Sequence, residues 1–168
     1  MDAKRAMLRH FLAALAYRTQ KAVRGAPASF ASFTAGNRVR TPHELVLHLT
    51  SLLGYARTLF LGGTWRPTAL PTFEAEIARF HDTLTDLATL LENDTPLSVS
   101  PEQLLQGPFA DAMTHVGQLA MLRRLSGTPI PPENFVFADI SSDNLGPHQP
   151  PPARPDVAWP EGPDGDRA

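Results

Sequence analysis

Apolar residues recur at steps of three and four along four separate stretches of this chain, and this period constrains the fold more than any other feature. The stretches cover residues 2–24, 41–60, 72–91 and 108–126. Such steps keep apolar side chains on one face of an α-helix. Strand-like alternation is absent from the sequence, apart from a short exception at 135–137. We therefore predict an all-α fold, an up-down-down-up four-helix bundle.

Residues that start and stop helices stand at the ends of these stretches. Thr41 and Ser100 are each followed by proline, and then by Glu or Gln at the third position, which is the pattern of a capping box. Glycine follows three of the stretches, at Gly25, Gly62 and Gly127. These signals support the predicted helix boundaries.

Proline separates the end of the chain from the rest. The chain has 168 residues and 17 prolines, and more than half of the prolines follow residue 128. Proline lacks the backbone N–H donor and clashes with the preceding helical turn, so a long helix is excluded there. We expect residues 1–146 to form the bundle and residues 147–168 to form an irregular, Pro-rich and largely unstructured tail.

Composition excludes several classes of function. Fifteen Lys and Arg nearly balance seventeen Asp and Glu, which leaves a formal charge of -2 and no basic surface for nucleic acid. The absence of cysteine excludes disulfides, thiolate zinc sites and a cysteine nucleophile. No apolar run has the length of a signal peptide or a membrane span. We expect a cytoplasmic protein that binds neither nucleic acid nor membrane.

Ionisable residues on apolar helix faces are the candidate site residues, because bundles build their sites from side chains of facing helices. His48 shares a face with Leu45 and Leu52. A histidine in such a place often serves as a structural core group bonded to a carbonyl. It is also a suitable metal ligand, and its position alone leaves both interpretations open.

Asp111 and His115 are four residues apart, so they are neighbours on one face of the last helix. The same line continues through Gln118, Leu122 and Leu125, and we expect it to be the buried stripe of that helix. An i, i+4 pair of oxygen and nitrogen ligands can hold one metal ion. The alternative is an Asp–His pair in which Asp111 also favours the positive helix N-terminus.

His48, Asp111 and His115 together make a three-ligand set. A buried carboxylate needs a cation, which is either a divalent metal or a protonated histidine. Three protein ligands leave a position for water or substrate, and two imidazoles with one carboxylate suit Zn, Ni, Fe(II) or Mn. Gln118, one turn beyond His115, either orients a ligand or faces solvent. No catalytic acid or base is evident beyond this set.

Two segments carry a resemblance to a known family. ELVLHLTSLLGYARTLF (44–60) and GPFADAMTHVGQLAMLRRLSG (107–127), with His-x-Gly-Gln at 115–118, resemble the DinB/YfiT-like superfamily of metal-dependent four-helix bundles. Residues 133–140 are similar to the continuation seen in one bacterial subgroup. The resemblance covers about residues 5–145.

The resemblance implies one divalent metal ion, held by a histidine on the second helix and two ligands on the last. His48 matches the first position and His115 the histidine before Gly-Gln, while Asp111 stands where many members have another histidine. Relatives use thiol cofactors in transfer or isomerase reactions, so a small-molecule substrate and an external low-molecular-weight thiol are implied partners. We predict a metal-dependent enzyme with a site open to water or thiol, a thiol-dependent transferase or a hydrolase. The alternative is a non-catalytic helical-bundle interaction protein with a structural His/Asp cluster.

A homodimer through one helix face is a further prediction. Phe73 and Phe80 lie on the apolar stripe of the third helix, and exposed apolar strips mark contact surfaces. The same strip is equally compatible with the core of the bundle.

Overall fold

A computed structural model describes residues 2–156, and the predicted all-helical fold is confirmed. The helices are α1 (Ala3–Val23), α2 (Pro42–Leu61), α3 (Phe73–Glu92), a short α4 (Pro101–Leu104) and α5 (Ala110–Leu125). Short 3-10 turns lie at Ala28–Ser32 and Phe135–Phe137, so the strand-like exception at 135–137 is helical. Within residues 2–156 there is no strand, and the isolated bridge is between Glu133 and Pro155.

Side-chain caps fix where the helices begin. Thr41 and Ser100 form complete capping boxes at the starts of α2 and α4, as predicted. Asp2 and Thr72 cap α1 and α3, each by accepting a hydrogen bond from the backbone N–H three residues later. A cap of this kind stabilises a helix by about 1 kcal/mol. Because the starts are fixed, the positions of the side chains around each helix are fixed as well.

Contacts near the helix ends show that α1 is antiparallel to α3 and parallel to α5. Arg5, near the start of α1, donates to the carbonyl of Leu90 near the end of α3. Arg123, near the end of α5, donates to the carbonyl of Ala22 near the end of α1. The guanidinium of Arg123 therefore satisfies a helix-end carbonyl that α1 leaves without an intrahelical partner.

Helices α2 and α3 run parallel to each other. The rings of His43 and Phe73, in their first turns, lie 6.1 Å apart, and Arg57 pairs with Asp86 further along. Helix α1 packs against α3 and α5, and α2 also packs against α3 and α5. Helices α1 and α2 therefore occupy opposite corners. Because α1 and α5 run in one direction and α2 and α3 run in the other, the bundle has the predicted up-down-down-up order.

A parallel pair of consecutive helices needs a connection that runs back along the bundle. In this return segment, residues 62–72, Trp65 lies directly over Gly54, where a Cβ atom would overlap the indole ring. The fully buried carboxylate of Glu76 accepts a hydrogen bond from the Leu70 N–H and pairs with Arg79. These contacts hold the segment against α2 and α3.

The segment after α5 lies back on the helices. The Asn134 N–H donates to the carbonyl of Arg154, and the Asp156 N–H donates to the carbonyl of Pro132. Residues 154–156 of the predicted tail are therefore paired with residues 132–134. The remainder of that predicted tail, 157–168, lies outside the described residues.

The apolar stripe of α3 faces the core. Phe80 is fully buried and Phe73 is 8% exposed, so these two rings offer no external contact face. The homodimer stays a prediction without this support. None of the helices within residues 2–156 combines the length and the apolar character of a membrane-spanning helix.

Candidate metal centre

The sequence of α2 places His48 at its edge with α5. Thr41 caps the helix, and Leu45 and Leu49 are buried on either side of His48. His48 itself is half-buried. Because the cap fixes where α2 begins, it also fixes the side of the helix on which His48 lies. The His48 imidazole is therefore at the solvent edge of an otherwise apolar interface.

A break in the chain sets the start of α5. Gly107 has non-helical backbone angles (φ -89°, ψ -109°) inside a wide turn over Leu105–Phe109, and Pro108 follows it. Helix α5 begins at Ala110, so Asp111 lies in its first turn and His115 one turn later. The negative carboxylate is favourable at this positive helix end.

The structure brings His48, Asp111 and His115 together, and we call these three residues the triad. The Nε2 atoms of the two histidines are 3.1 Å apart, and Asp111 Oδ1 is 3.3 Å from His115 Nε2. One ligand atom from each residue lies within 4.8 Å of the other two. Within residues 2–156 this is the one group of three or more such side chains with metal-ligand spacing.

Gln118 fixes the orientation of the His115 ring. Its Oε1 lies 2.9 Å from His115 Nδ1 and accepts the hydrogen bond from that nitrogen. In neutral His115 the other nitrogen, Nε2, then carries a lone pair, and this atom faces His48 and Asp111. The Asp111 carboxylate and the His48 imidazole thus both approach the lone pair of His115 Nε2. This arrangement is favourable only when a proton or a metal ion lies between the approaching atoms.

The surroundings of His48 favour its neutral form. Burial lowers the pKa of His48, the charges of Arg40 and His115 lower it further, and Asp111 opposes them. A neutral imidazole has the lone pair that a metal ion requires. The environment therefore favours the form of His48 that acts as a ligand.

Two of the three ligand-atom separations in the triad fit a shared metal ion, and the third, between His48 and Asp111, lies within 4.8 Å. Two ligand atoms about 2.1 Å from one ion lie about 3.0 Å apart at an octahedral angle and about 3.4 Å apart at a tetrahedral angle. The observed separations of 3.1 and 3.3 Å fall in this interval. The donor set of two imidazole nitrogens and a carboxylate oxygen is the kind that binds divalent transition metals.

The predicted buried stripe of α5 is wrong at three of its positions. The Asp111 side chain is 51% exposed, and Gln118 and Leu125 are also exposed. The buried face of α5 instead follows Ala112, Val116, Leu119, Leu122 and Arg123. Helix α5 is therefore rotated so that the triad lies at the rim of the α2–α5 interface, where water reaches one side of it.

The other four histidines lie apart from the triad. His10 and His148 are exposed, and His43 packs against Phe73. His81 is buried, with Nδ1 hydrogen-bonded to the carbonyl of Leu145. Its burial was not predicted, because the covering residues come from a distant part of the chain.

A cavity of 550 Å³ begins one helical turn from the triad, between the segment before α2 and helix α5. Arg38 and Arg40 line one side, and Leu45, Gln118 and Leu122 line the others. The sequence analysis did not single out these arginines, which lie between the first and second predicted helices. The available signal was two arginines, two residues apart, directly before the helix cap at Thr41.

Comparison with family models, curated proteins and solved structures gives no match to this chain.

Proposed function

We propose that this protein is a divalent-metal-dependent enzyme of the DinB-like type, with a site open to water or a thiol substrate. The reaction class we propose is a thiol-dependent transfer or a hydrolysis. The triad supports this proposal, because three ligand atoms from two helices converge while one of them is half-exposed to solvent. Three protein ligands with a free position are typical of catalytic rather than structural metal sites.

Each residue has a distinct role in the proposed site. His48 and His115 would supply neutral nitrogen ligands, and Asp111 would supply negative charge from the solvent side. Gln118 would hold the His115 ring so that Nε2 faces the ion. A bound divalent ion would lower the pKa of a coordinated water or stabilise a thiolate. Zn, Ni, Fe(II) and Mn all suit this donor set.

Metal titration of the full chain tests the proposal. We expect the metal-free protein to bind one Co²⁺ ion, with visible absorption bands of nitrogen and oxygen ligation. His48→Ala and His115→Ala should each abolish these bands. His10→Ala, which removes an exposed histidine from α1, is the matched control and should bind like the wild type. Equal binding by wild type and His48→Ala would contradict the proposal.

One observation favours a second candidate, a non-catalytic bundle that binds a partner. The separation of 3.1 Å between the two Nε2 atoms is also the length of an ordinary hydrogen bond. A protonated nitrogen can therefore close the triad without an ion. In that case His115→Ala should lower the melting temperature equally with and without added metal. A cytoplasmic location, an external thiol and a homodimer stay predictions.

A further inference from the structure

We propose that the cavity beside the triad binds a small organic carboxylate with an apolar chain, whose charged group is held by Arg38 and Arg40. This inference rests on the proposed function and adds the substrate class. The cavity and the triad are linked physically, since Gln118 both lines the cavity and accepts the hydrogen bond from His115. A molecule in the cavity would therefore lie next to the proposed metal ligands.

Arg38 and Arg40 are both exposed, and their charges are available to a molecule in the cavity. Neither Arg38 nor Arg40 has an ion-pair partner within residues 2–156. The acid near Arg40 is Glu44, which is engaged by the backbone N–H and hydroxyl of Thr41 in the capping box.

Arg38 is held in a backbone conformation that does not suit an arginine. The Val39 N–H donates to the carbonyl of Gly36, which closes a tight turn with φ of 51° at Asn37 and 60° at Arg38. Turns with two left-handed residues favour glycine at the second of these positions. An arginine there strains the backbone and gains no ion pair, so a binding role explains the residue better than a folding role.

The rest of the lining indicates the kind of anion. Val39 and Met121 present exposed apolar side chains to the cavity, and Leu45 and Leu122 lie beneath them, almost fully buried. A volume of 550 Å³ is in the range of small-molecule sites. The planar guanidinium group matches a carboxylate with two parallel hydrogen bonds. Apolar walls with a cationic end therefore favour a carboxylate on a hydrocarbon chain over a bare inorganic anion.

Calorimetric titration with octanoate tests this inference on the full chain, both metal-free and loaded with Co²⁺. We expect saturable binding to the wild type, and affinity lower by about tenfold or more in Arg38→Gly and in Arg40→Ala. Glycine suits the left-handed turn, so Arg38→Gly should stay folded by circular dichroism. Arg66→Ala, in the return segment and outside the cavity lining, is the matched control and should bind octanoate like the wild type.

Two further probes test the chemistry. Octanol lacks the charge and inorganic phosphate lacks the chain, so both should bind more weakly than octanoate. Octanoate affinity that is unchanged in both arginine variants would overturn the inference, and so would equal affinity for octanol or phosphate. If Co²⁺ fails to bind but octanoate still requires the arginines, the proposed metal function fails and the carboxylate site stands. If Co²⁺ binds and octanoate does not, the carboxylate site fails and the proposed metal function stands.

Discussion

Tyr17, Lys21 and Glu133 form a second polar cluster, the Glu133 cluster, whose construction is opposite to that of the triad. The Glu133 side chain is fully buried, and its two oxygens accept hydrogen bonds from the Tyr17 hydroxyl and the Lys21 ammonium, each at 2.7 Å. Burial raises the pKa of Tyr17 and the bond to Glu133 raises it further, so the phenol stays a donor. Every charge in this cluster meets an opposite charge or a donor.

The triad, by contrast, brings two imidazoles and a carboxylate together and leaves one side open to water. Its carboxylate is 51% exposed, and one acceptor nitrogen faces both the acid and the second imidazole. The Glu133 cluster is complete within the chain and joins α1 to the segment after α5. The triad is completed either by a proton on one of its own ring nitrogens or by an ion. Complete pairing is typical of structural polar clusters, and incomplete pairing of binding sites.

Lys21→Met should have the largest effect on stability, because it leaves the Glu133 carboxylate buried without its cation. Removal of one partner from a buried ion pair costs about 3–5 kcal/mol. We expect a loss of that order in the free energy of unfolding, measured by urea denaturation. Metal binding by the triad should be unchanged, since α1 contributes no ligand.

Lys4→Met is the control for Lys21→Met. Lys4 is on the same helix and pairs with Glu102, but both side chains are exposed. We expect no measurable change in stability, because water solvates both ions when either partner is removed. If Lys21→Met were as stable as Lys4→Met, the Glu133 cluster would not have the structural role that its burial indicates.

Gln118→Ala should weaken the triad without unfolding the bundle. The Gln118 side chain is exposed, and its hydrogen-bond partner is His115 Nδ1. Loss of a group that orients a metal-bound histidine typically lowers metal affinity by about 10–100-fold. We expect that loss in a Co²⁺ titration, and recovery in Gln118→Glu, whose carboxylate also accepts the hydrogen bond.

Gln106→Ala, an exposed glutamine in the turn before α5, is the matched control and should bind Co²⁺ like the wild type. Equal affinity in Gln118→Ala and Gln106→Ala would remove the orienting role from Gln118. A melting temperature lowered in Gln118→Ala without any loss of metal affinity would instead indicate a purely structural contact.

Local signals explain how much of this fold could be predicted. Caps such as Thr41 and Ser100 act within one turn, so helix starts were predictable from short patterns. The spacing of Asp111 and His115 is likewise a property of one helix. The approach of His48 to these residues depends on how α2 and α5 pack. All three residues were assigned to apolar helix faces that meet in a bundle, so the sequence analysis could group them as one candidate site.

The rotation of α5 was not predicted, because two adjacent faces of this one helix both show three-four spacing. The predicted stripe through Asp111 and Leu125 and the buried face through Val116 and Leu119 share Leu122, and the prediction took the more polar of the two. The burial of His81 was hidden for a different reason. Its cover includes Leu145, more than sixty residues away, in a segment without helical period.

The pH dependence of stability should separate His81 from the triad, and we expect this effect to be the smallest of those predicted. Burial lowers the pKa of His81 below the ordinary value of 6.5, although its bond to the Leu145 carbonyl acts in the opposite direction. The unfolded chain therefore takes up a proton near pH 6.5 that the folded protein resists. The stabilising contribution is complete above pH 6.5 and is lost as the pH falls towards the folded pKa.

His81→Gln should consequently show a shallower fall in unfolding free energy than the wild type when the pH is lowered from about 7.5 to about 5.5. His10→Gln, at an exposed site, should keep the wild-type slope. The pKa of His48 is also lowered, so part of the slope should remain in His81→Gln and disappear when His48→Gln is added.

Identical slopes in the wild type, in His81→Gln and in the double variant would mean that neither the His81 nor the His48 imidazole changes its protonation with folding. A slope removed by His48→Gln alone would instead place the whole pH response at the rim of the α2–α5 interface, where a proton would compete with the proposed metal ion for the same nitrogen.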